Sequence, residues 1–326
     1  FRIDREETRR SMIEIIDGVL KLLKNVLLAL PLMCHVANDP ELYSSWGVKG
    51  AAEIRSGALW ALVTSTFAHA ELWHLAFNLY WLWIFGSILE SSLGRVRWAG
   101  LYLALAIISS AAELTVGGET GIGASGVIFG FFGFMWSGRR VVAAFQKVIS
   151  RQIIKTFLIW LWICIIATVA DVFRVGNTAH IAGLVAGVLM GQIFVIRKQK
   201  IPAAAGLSLV ATLSLAGLVW APWSYSWKSE QALKAYKERD FDQAEVLIKE
   251  ALAGGQDKAW CWDMLARTYL AMGDRNRYSA AVEELRNIDS SHATALEDEM
   301  RAYLRFPAGG AARNSGGGEK SPSRRK

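Results

Sequence analysis

Seven stretches of mostly apolar residues follow one another along the chain, near 20–37, 72–89, 98–116, 122–138, 153–170, 177–196 and 203–222. Each approaches the roughly 20 residues that an α-helix needs to cross a bilayer. The pattern therefore predicts seven membrane spans joined by short polar loops. Lys21 and Lys24 lie within the first stretch, where their heads can snorkel to an interface, and Pro31 interrupts it. Pro202 and Pro222 bracket the last, where a proline can open a helix or stop one. No cleavable signal peptide is recognisable, and the missing initiator Met leads to the expectation of a trimmed N-terminus. From residue 229 the pattern changes to amphipathic helices broken at Arg239-Asp240, Gly254-Gly255 and Gly273-Asp274. The Gly-, Ser-, Arg- and Lys-rich stretch 307–326 reads as a disordered tail.

Composition sharpens this division. Between Asn25 and Lys228 there are 22 charged residues in 204 positions, whereas Ser229 to Phe306 carries 26 in 78. A chain that is 53% hydrophobic, with mean hydropathy +0.26, excludes a disordered or fibrous protein. The reading is an all-α polytopic membrane protein with a small soluble helical domain appended. Fourteen tryptophans suit bilayer interfaces. Cys34, Cys164 and Cys261 are too few and scattered for a disulfide framework. The net charge of +7 suits anionic membrane lipid rather than nucleic acid, because Lys and Arg fall between apolar segments and form no aromatic-studded basic face.

The basic residues also give an orientation. Arg95, Arg97, Arg139, Arg140, Lys147, Arg151, Lys155, Arg197, Lys198 and Lys200 lie in alternate loops, against Lys49, Arg55 and Arg174 in the others. The first set is read as cytoplasmic, together with the N-terminus. A seventh span then leaves the soluble domain outside.

Polar residues at bilayer depth are costly and mark candidates for function. His74 and Asn78 in the second span, Ser125 in the fourth and His180 in the sixth all start spans that run from outside to inside. The charge-derived topology puts them at one face. Ser125, within Gly123-Ala124-Ser125-Gly126, opens a helix, where a developing oxyanion would be stabilised. It can equally be a small residue permitting close helix packing. His180 heads a helix with Gly183, Gly187 and Gly191 on one stripe, and the fourth span offers Gly126, Gly130 and Gly133. If those stripes meet, His180 reaches Ser125 as its general base; otherwise it is a histidine hydrogen-bonded in a seam. His74 and Asn78 share a helix face and can both donate to an oxyanion. A metal site at His69 and His74 competes, but no Cys partner is near and Asn is a poor zinc ligand. Asp171 gives no support for a triad, so a Ser-His dyad without metal or organic cofactor is the reading.

These residues resemble the rhomboid family of intramembrane serine proteases. The resemblance rests on H-x-x-x-N (His74, Asn78), G-x-S-G (Ser125) and A-H-x-x-G-x-x-x-G (His180, Gly183, Gly187), in the family's order. His69, the aromatic run Tyr80-Trp81-Leu82-Trp83, and Glu90 before Gly94 are also similar. The resemblance covers about residues 20–197 and implies a six-helix core with a water-accessible cavity. It implies that Ser125 attacks a peptide bond, His180 takes its proton, and His74 and Asn78 help hold the oxyanion. Gly123, Gly126, Phe129, Gly133, Gly183 and Gly187 would pack around the dyad, with Phe129 stacked on His180. Trp60 is followed by Ala61 where the family often has Trp-Arg, and Phe129 lacks the hydroxyl of a tyrosine.

The expected organisation is a cytoplasmic tail 1–19, a six-helix core 20–197, a seventh transmembrane helix 198–222, a helical domain 229–306 and the tail 307–326. In the helical domain, Trp262-x-x-Leu265-Ala266-x-x-Tyr269 approximates the tetratricopeptide pattern, with Ala244 and Ala251 at suitable intervals before it. The alternative there is a plain helical hairpin. Such repeats bind peptides or proteins, so a protein partner is one expectation and transmembrane protein substrates another. The functional expectation is an intramembrane serine endopeptidase in a cell inner membrane. Two other classes stand beside it: a catalytically silent relative that binds membrane proteins as an adaptor, and a transporter with the histidines on a proton path.

Overall fold

The computed structural model of the chain describes residues 47–69, 71–170, 172, 175–196 and 200–305, with side chains to residue 301. The expected first span at 20–37, the flanking tails 1–19 and 307–326, and Asp171 lie outside the described residues. Among the described residues every regular element is helical. The chain divides into two compact units, Phe1–Glu230 and Gln231–Lys326.

Among the described residues of the first unit, two short helices come first, α1 (Ala51–Arg55) and α2 (Ala61–Thr64), with a 3-10 turn at Ser65–Phe67. Then come α3 (Leu72–Leu93), α4 (Arg95–Gly117), α5 (Ser125–Gly138), the short α6 (Ala143–Val148), α7 (Arg151–Val169), α8 (Asn177–Gly191) and α9 (Lys200–Ala216). A π-helical turn, Gln192–Ile196, prolongs α8. Sequence punctuation sets several boundaries. Gly94, at φ +81°, separates α3 from α4, and the Ser150 side chain caps α7 by accepting from the Ile153 N–H at 3.2 Å.

Among the described residues four helices are long and apolar enough to cross a membrane: Leu72–Leu93, Arg95–Gly117, Arg151–Val169 and Asn177–Ile196. These support an integral, multi-pass membrane protein. Two expected spans are shorter. The fourth, α5, has 14 residues, about 21 Å against a hydrocarbon core of about 30 Å. The seventh is the 17-residue α9, which starts earlier than the expected 203 and stops at Ala216 instead of 222. Pro202 sits in its first turn, where a missing N–H costs nothing. Its end falls where Gly217 packs against Thr115 of α4, so closely that a Cβ there would overlap the Thr115 side chain.

The core of this unit is aromatic. Phe85, Phe131, Phe132, Phe134 and Phe145 are almost completely buried, and Phe132 stacks on Phe157 of α7 at 4.6 Å. In lipid there is little hydrophobic gain from bringing helices together, so close packing has to hold them. The α5–α8 seam meets that need. A Cβ on Gly183 would overlap the Gly126 carbonyl oxygen, one on Gly187 the Gly130 carbonyl, and one on Gly133 the Leu184 carbonyl.

The division between the units falls within α10 (Tyr225–Lys237). Helices α11 (Phe241–Ala253), α12 (Lys258–Ala271), α13 (Arg275–Ile288) and α14 (Ser290–Arg305) complete the second unit. Each is opened by an aspartate that accepts from the backbone three residues on: Asp240 from Gln243, Asp257 from Trp260, Asp274 from Arg277 and Asp289 from His292. Leu265, Ala266 and Tyr269 are buried with Cys261, Ile248, Val282 and Leu285, while Trp262 is partly buried beside them.

Candidate active site

The N-terminal ends of α3, α5 and α8 converge. His180 Nε2 lies 2.8 Å from Ser125 Oγ, at hydrogen-bond distance. The glycine seam makes this possible, because bringing α5 and α8 to backbone contact at Gly126 and Gly183 holds the first turns of both helices side by side. His180 is 3% exposed, and Phe129, one turn after the serine, stacks on its ring at 4.7 Å and 30°. Ser125 is only half-buried and lines a cavity of about 540 Å³. Ring and seam thus fix the imidazole, while the hydroxyl faces open space. His180 Nδ1 has no hydrogen-bond partner among the described residues.

Gly123 precedes the serine by two residues and has φ +95°. A Cβ on it would come within 2.8 Å of the His74 ring and 3.0 Å of Asn78 Nδ2. A side chain is therefore excluded on two grounds, backbone and space. The Gly123 N–H is tied to the Ser65 carbonyl at 3.1 Å, which anchors the loop before α5. His74 and Asn78 consequently lie against the chain leading into Ser125, on the same side as the cavity that all three line.

Asn78 is buried, and its Nδ2 is 2.9 Å from His69 Nε2. His69 Nδ1 in turn is 3.1 Å from the Phe67 carbonyl oxygen. A carbonyl can only accept, so His69 carries its proton on Nδ1 and Nε2 accepts from the Asn78 amide. One Asn78 N–H is thereby spent on orientation and the other remains for the cavity. This leaves His69 as an orienting partner, and its ring meets His74 edge-on at 5.0 Å.

Glu113 was not among the residues singled out from the sequence. Its Oε2 accepts from the Ala179 N–H at 2.9 Å, and it lines the same cavity. Gly176, at the N-cap of α8, has no side chain to offer, so Glu113 caps that helix from α4. A signal was present: Glu113 is the lone charged residue between Trp98 and Val116. Tyr225, at the start of α10, also lines the cavity. Nothing in its sequence neighbourhood marks it.

Residues 56–197 match the family described as Rhomboid domain. Over 253 residues, 76% of this chain and 49% of the relative, the chain is 26% identical to "Rhomboid protease GluP" of Bacillus subtilis. It is 34% identical to "Rhomboid protease GlpG" of Serratia proteamaculans over 135 residues, 40% of this chain and 47% of that protein. With "Rhomboid protease GlpG" of Pectobacterium atrosepticum the identity is 31% over 142 residues, 43% and 50% of the two chains. The chain thus spans about half the length of the curated relatives it matches.

Proposed function

Taking the rhomboid-domain match of residues 56–197 as the premise, we propose that the chain is an intramembrane serine endopeptidase that cleaves the transmembrane segments of other membrane proteins. The single observation that carries this is the 2.8 Å contact between His180 Nε2 and a half-exposed Ser125 Oγ in a cavity of about 540 Å³.

The reaction follows from the groups. Ser125 Oγ attacks the peptide carbonyl carbon as its proton passes to His180 Nε2. The negative charge that develops on the carbonyl oxygen meets the N-terminus of α5 and the donors of Asn78 and His74. Collapse breaks the C–N bond, His180 returns the proton to the leaving amine, and a water then hydrolyses the ester by the same route. A helix hides its carbonyls in hydrogen bonds, so the substrate must unwind locally to be attacked. Segments with small or helix-breaking residues are accordingly the substrate class.

The same reading assigns Arg95, Arg97, Arg139, Arg140, Lys147, Arg151 and Lys155 to the cytoplasmic side. The cavity and the C-terminal unit are then extracytoplasmic. For the C-terminal unit we infer tetratricopeptide-like repeats that bind a protein or peptide. The caps Asp240 and Asp274 stand 34 residues apart, the repeat length of that family.

A fluorophosphonate probe tests the enzyme reading on the full chain in detergent. Labelling of the wild type that disappears in Ser125→Ala, together with Ser125-dependent cleavage of a single-span peptide, is the expected result. Peptide binding without either would turn the assignment to an adaptor.

A further inference from the structure

The chain outside the rhomboid match also builds this cavity. From the last turn of α9 onward, residues 214–230 run along the end of α4 and are held by three separate ties. Trp223 Nε1 donates to the Thr115 carbonyl at 2.7 Å. The Thr115 hydroxyl donates to the Ser214 carbonyl, also at 2.7 Å. The third tie is Arg55 at the end of α1, whose side chain is 5% exposed. Its guanidinium donates to the Gly217 carbonyl and to Ser226 Oγ at 3.2 Å each, pairs with Glu230, and lies 5.4 Å over the Trp227 ring. A buried guanidinium is costly unless every arm finds an acceptor. Here the acceptors come almost wholly from this one segment.

The consequence of the clamp is the position of Tyr225. Its ring packs on Gly118, which has φ +86°, and a Cβ there would come within 2.6 Å of the ring. The same Tyr225 lines the cavity that holds Ser125 and His180. Neither Arg55 nor any residue of the returning segment falls within the 56–197 match.

We propose that residues 217–230 form a wall of the substrate cleft and that Tyr225 is a substrate-contacting residue, taking an apolar or aromatic side chain of the polypeptide beside the cleaved bond. The inference rests on the endopeptidase reading for the identity of the occupant. A phenol ring packed against a glycine offers a face for such a side chain, and aromatic contacts of this kind are strong enough to shift binding about tenfold.

The experiment uses the full chain and a fluorescent single-span peptide with an Ala-Gly pair near the outer end of its helix. A photoreactive benzoylphenylalanine replaces Tyr225 in the Ser125→Ala background, with the exposed position Val219, which does not line the cavity, as comparison. Crosslinking at 225 well above that at 219 is expected. In the Ser125-containing protein, Tyr225→Ala should raise KM about tenfold with kcat within twofold, and Arg55→Met, which frees the segment, should move KM the same way. Cleavage by the wild type with no crosslink at 225 above the Val219 level, or with KM unchanged in both variants, would overturn the proposal. Crosslinking at 225 without any cleavage by the wild type would leave the wall in place and remove the protease reading instead.

Discussion

The carboxylate of Glu113 and the backbone N–H of Ala179 are 2.9 Å apart, which ties the end of α4 to the residue immediately before His180. An N-cap supplied from another helix does two things at once. It satisfies an orphan donor of α8 and it fixes where that helix begins, hence where the imidazole points. Replacing a cap by alanine removes about 0.5–2 kcal/mol. Glu113→Ala should lower kcat about tenfold with KM little changed, since roughly 1.4 kcal/mol corresponds to a factor of ten. Glu113→Gln keeps an acceptor oxygen and should recover most of the loss. Equal kcat in the alanine variant and the wild type would remove Glu113 from any positioning role.

Asn78 and His69 should separate in severity. Losing an oxyanion donor lowers kcat by about 10²- to 10³-fold, and that is the expectation for Asn78→Ala. His69→Ala leaves the amide present but loosens its orientation, so a smaller loss of about tenfold is expected. Single-turnover kinetics on a transmembrane peptide measure both. A His69 effect as large as that of Asn78 would mean that His69 meets the reacting atoms itself.

The glycine seam predicts a sharp contrast between two helix-interior glycines. A Cβ on Gly187 would overlap the Gly130 carbonyl, whereas one on Gly100 meets nothing within 4 Å. Gly187→Val should cost about 3 kcal/mol or more, since backbone has to move. Gly100→Ala should be neutral or stabilising by up to about 1 kcal/mol. Denaturation of the purified protein in detergent reads both shifts, and the seam assignment fails if they come out alike.

Much of this was legible in the residues themselves. His74, Asn78, Ser125 and His180 were conspicuous because polar groups at the starts of apolar runs stand out, and the Gly183-Gly187-Gly191 stripe announced a close helix contact. Helix lengths were less accessible, since hydropathy runs on past the point where α9 stops at Ala216, just before Gly217. Glu113 escaped because its partner is a backbone N–H, which carries no side-chain signature. Tyr225 escaped for a different reason: its place depends on Arg55, some 170 positions earlier, and no local pattern encodes that pairing.

Orientation can be measured with a cysteine at the exposed Asp242 of the second unit. Cys164 and Cys261 are buried, and burial pushes the Cys261 thiol up to about 12, so at neutral pH it stays protonated and unreactive. With Cys34 replaced by serine, Asp242→Cys in intact cells should react with a membrane-impermeant maleimide. Reaction only after lysis would place the C-terminal unit on the cytoplasmic side.

Helix α5 is about 9 Å shorter than a hydrocarbon layer of about 30 Å. Gly126 to Met135 are all buried, so the shortfall is met by neighbouring helices and not by lipid. Ser125 is the first residue of this enclosed helix and lines the cavity beside it. On the endopeptidase reading, the shortness of one enclosed helix is what gives water a route to a serine that stands between longer neighbours.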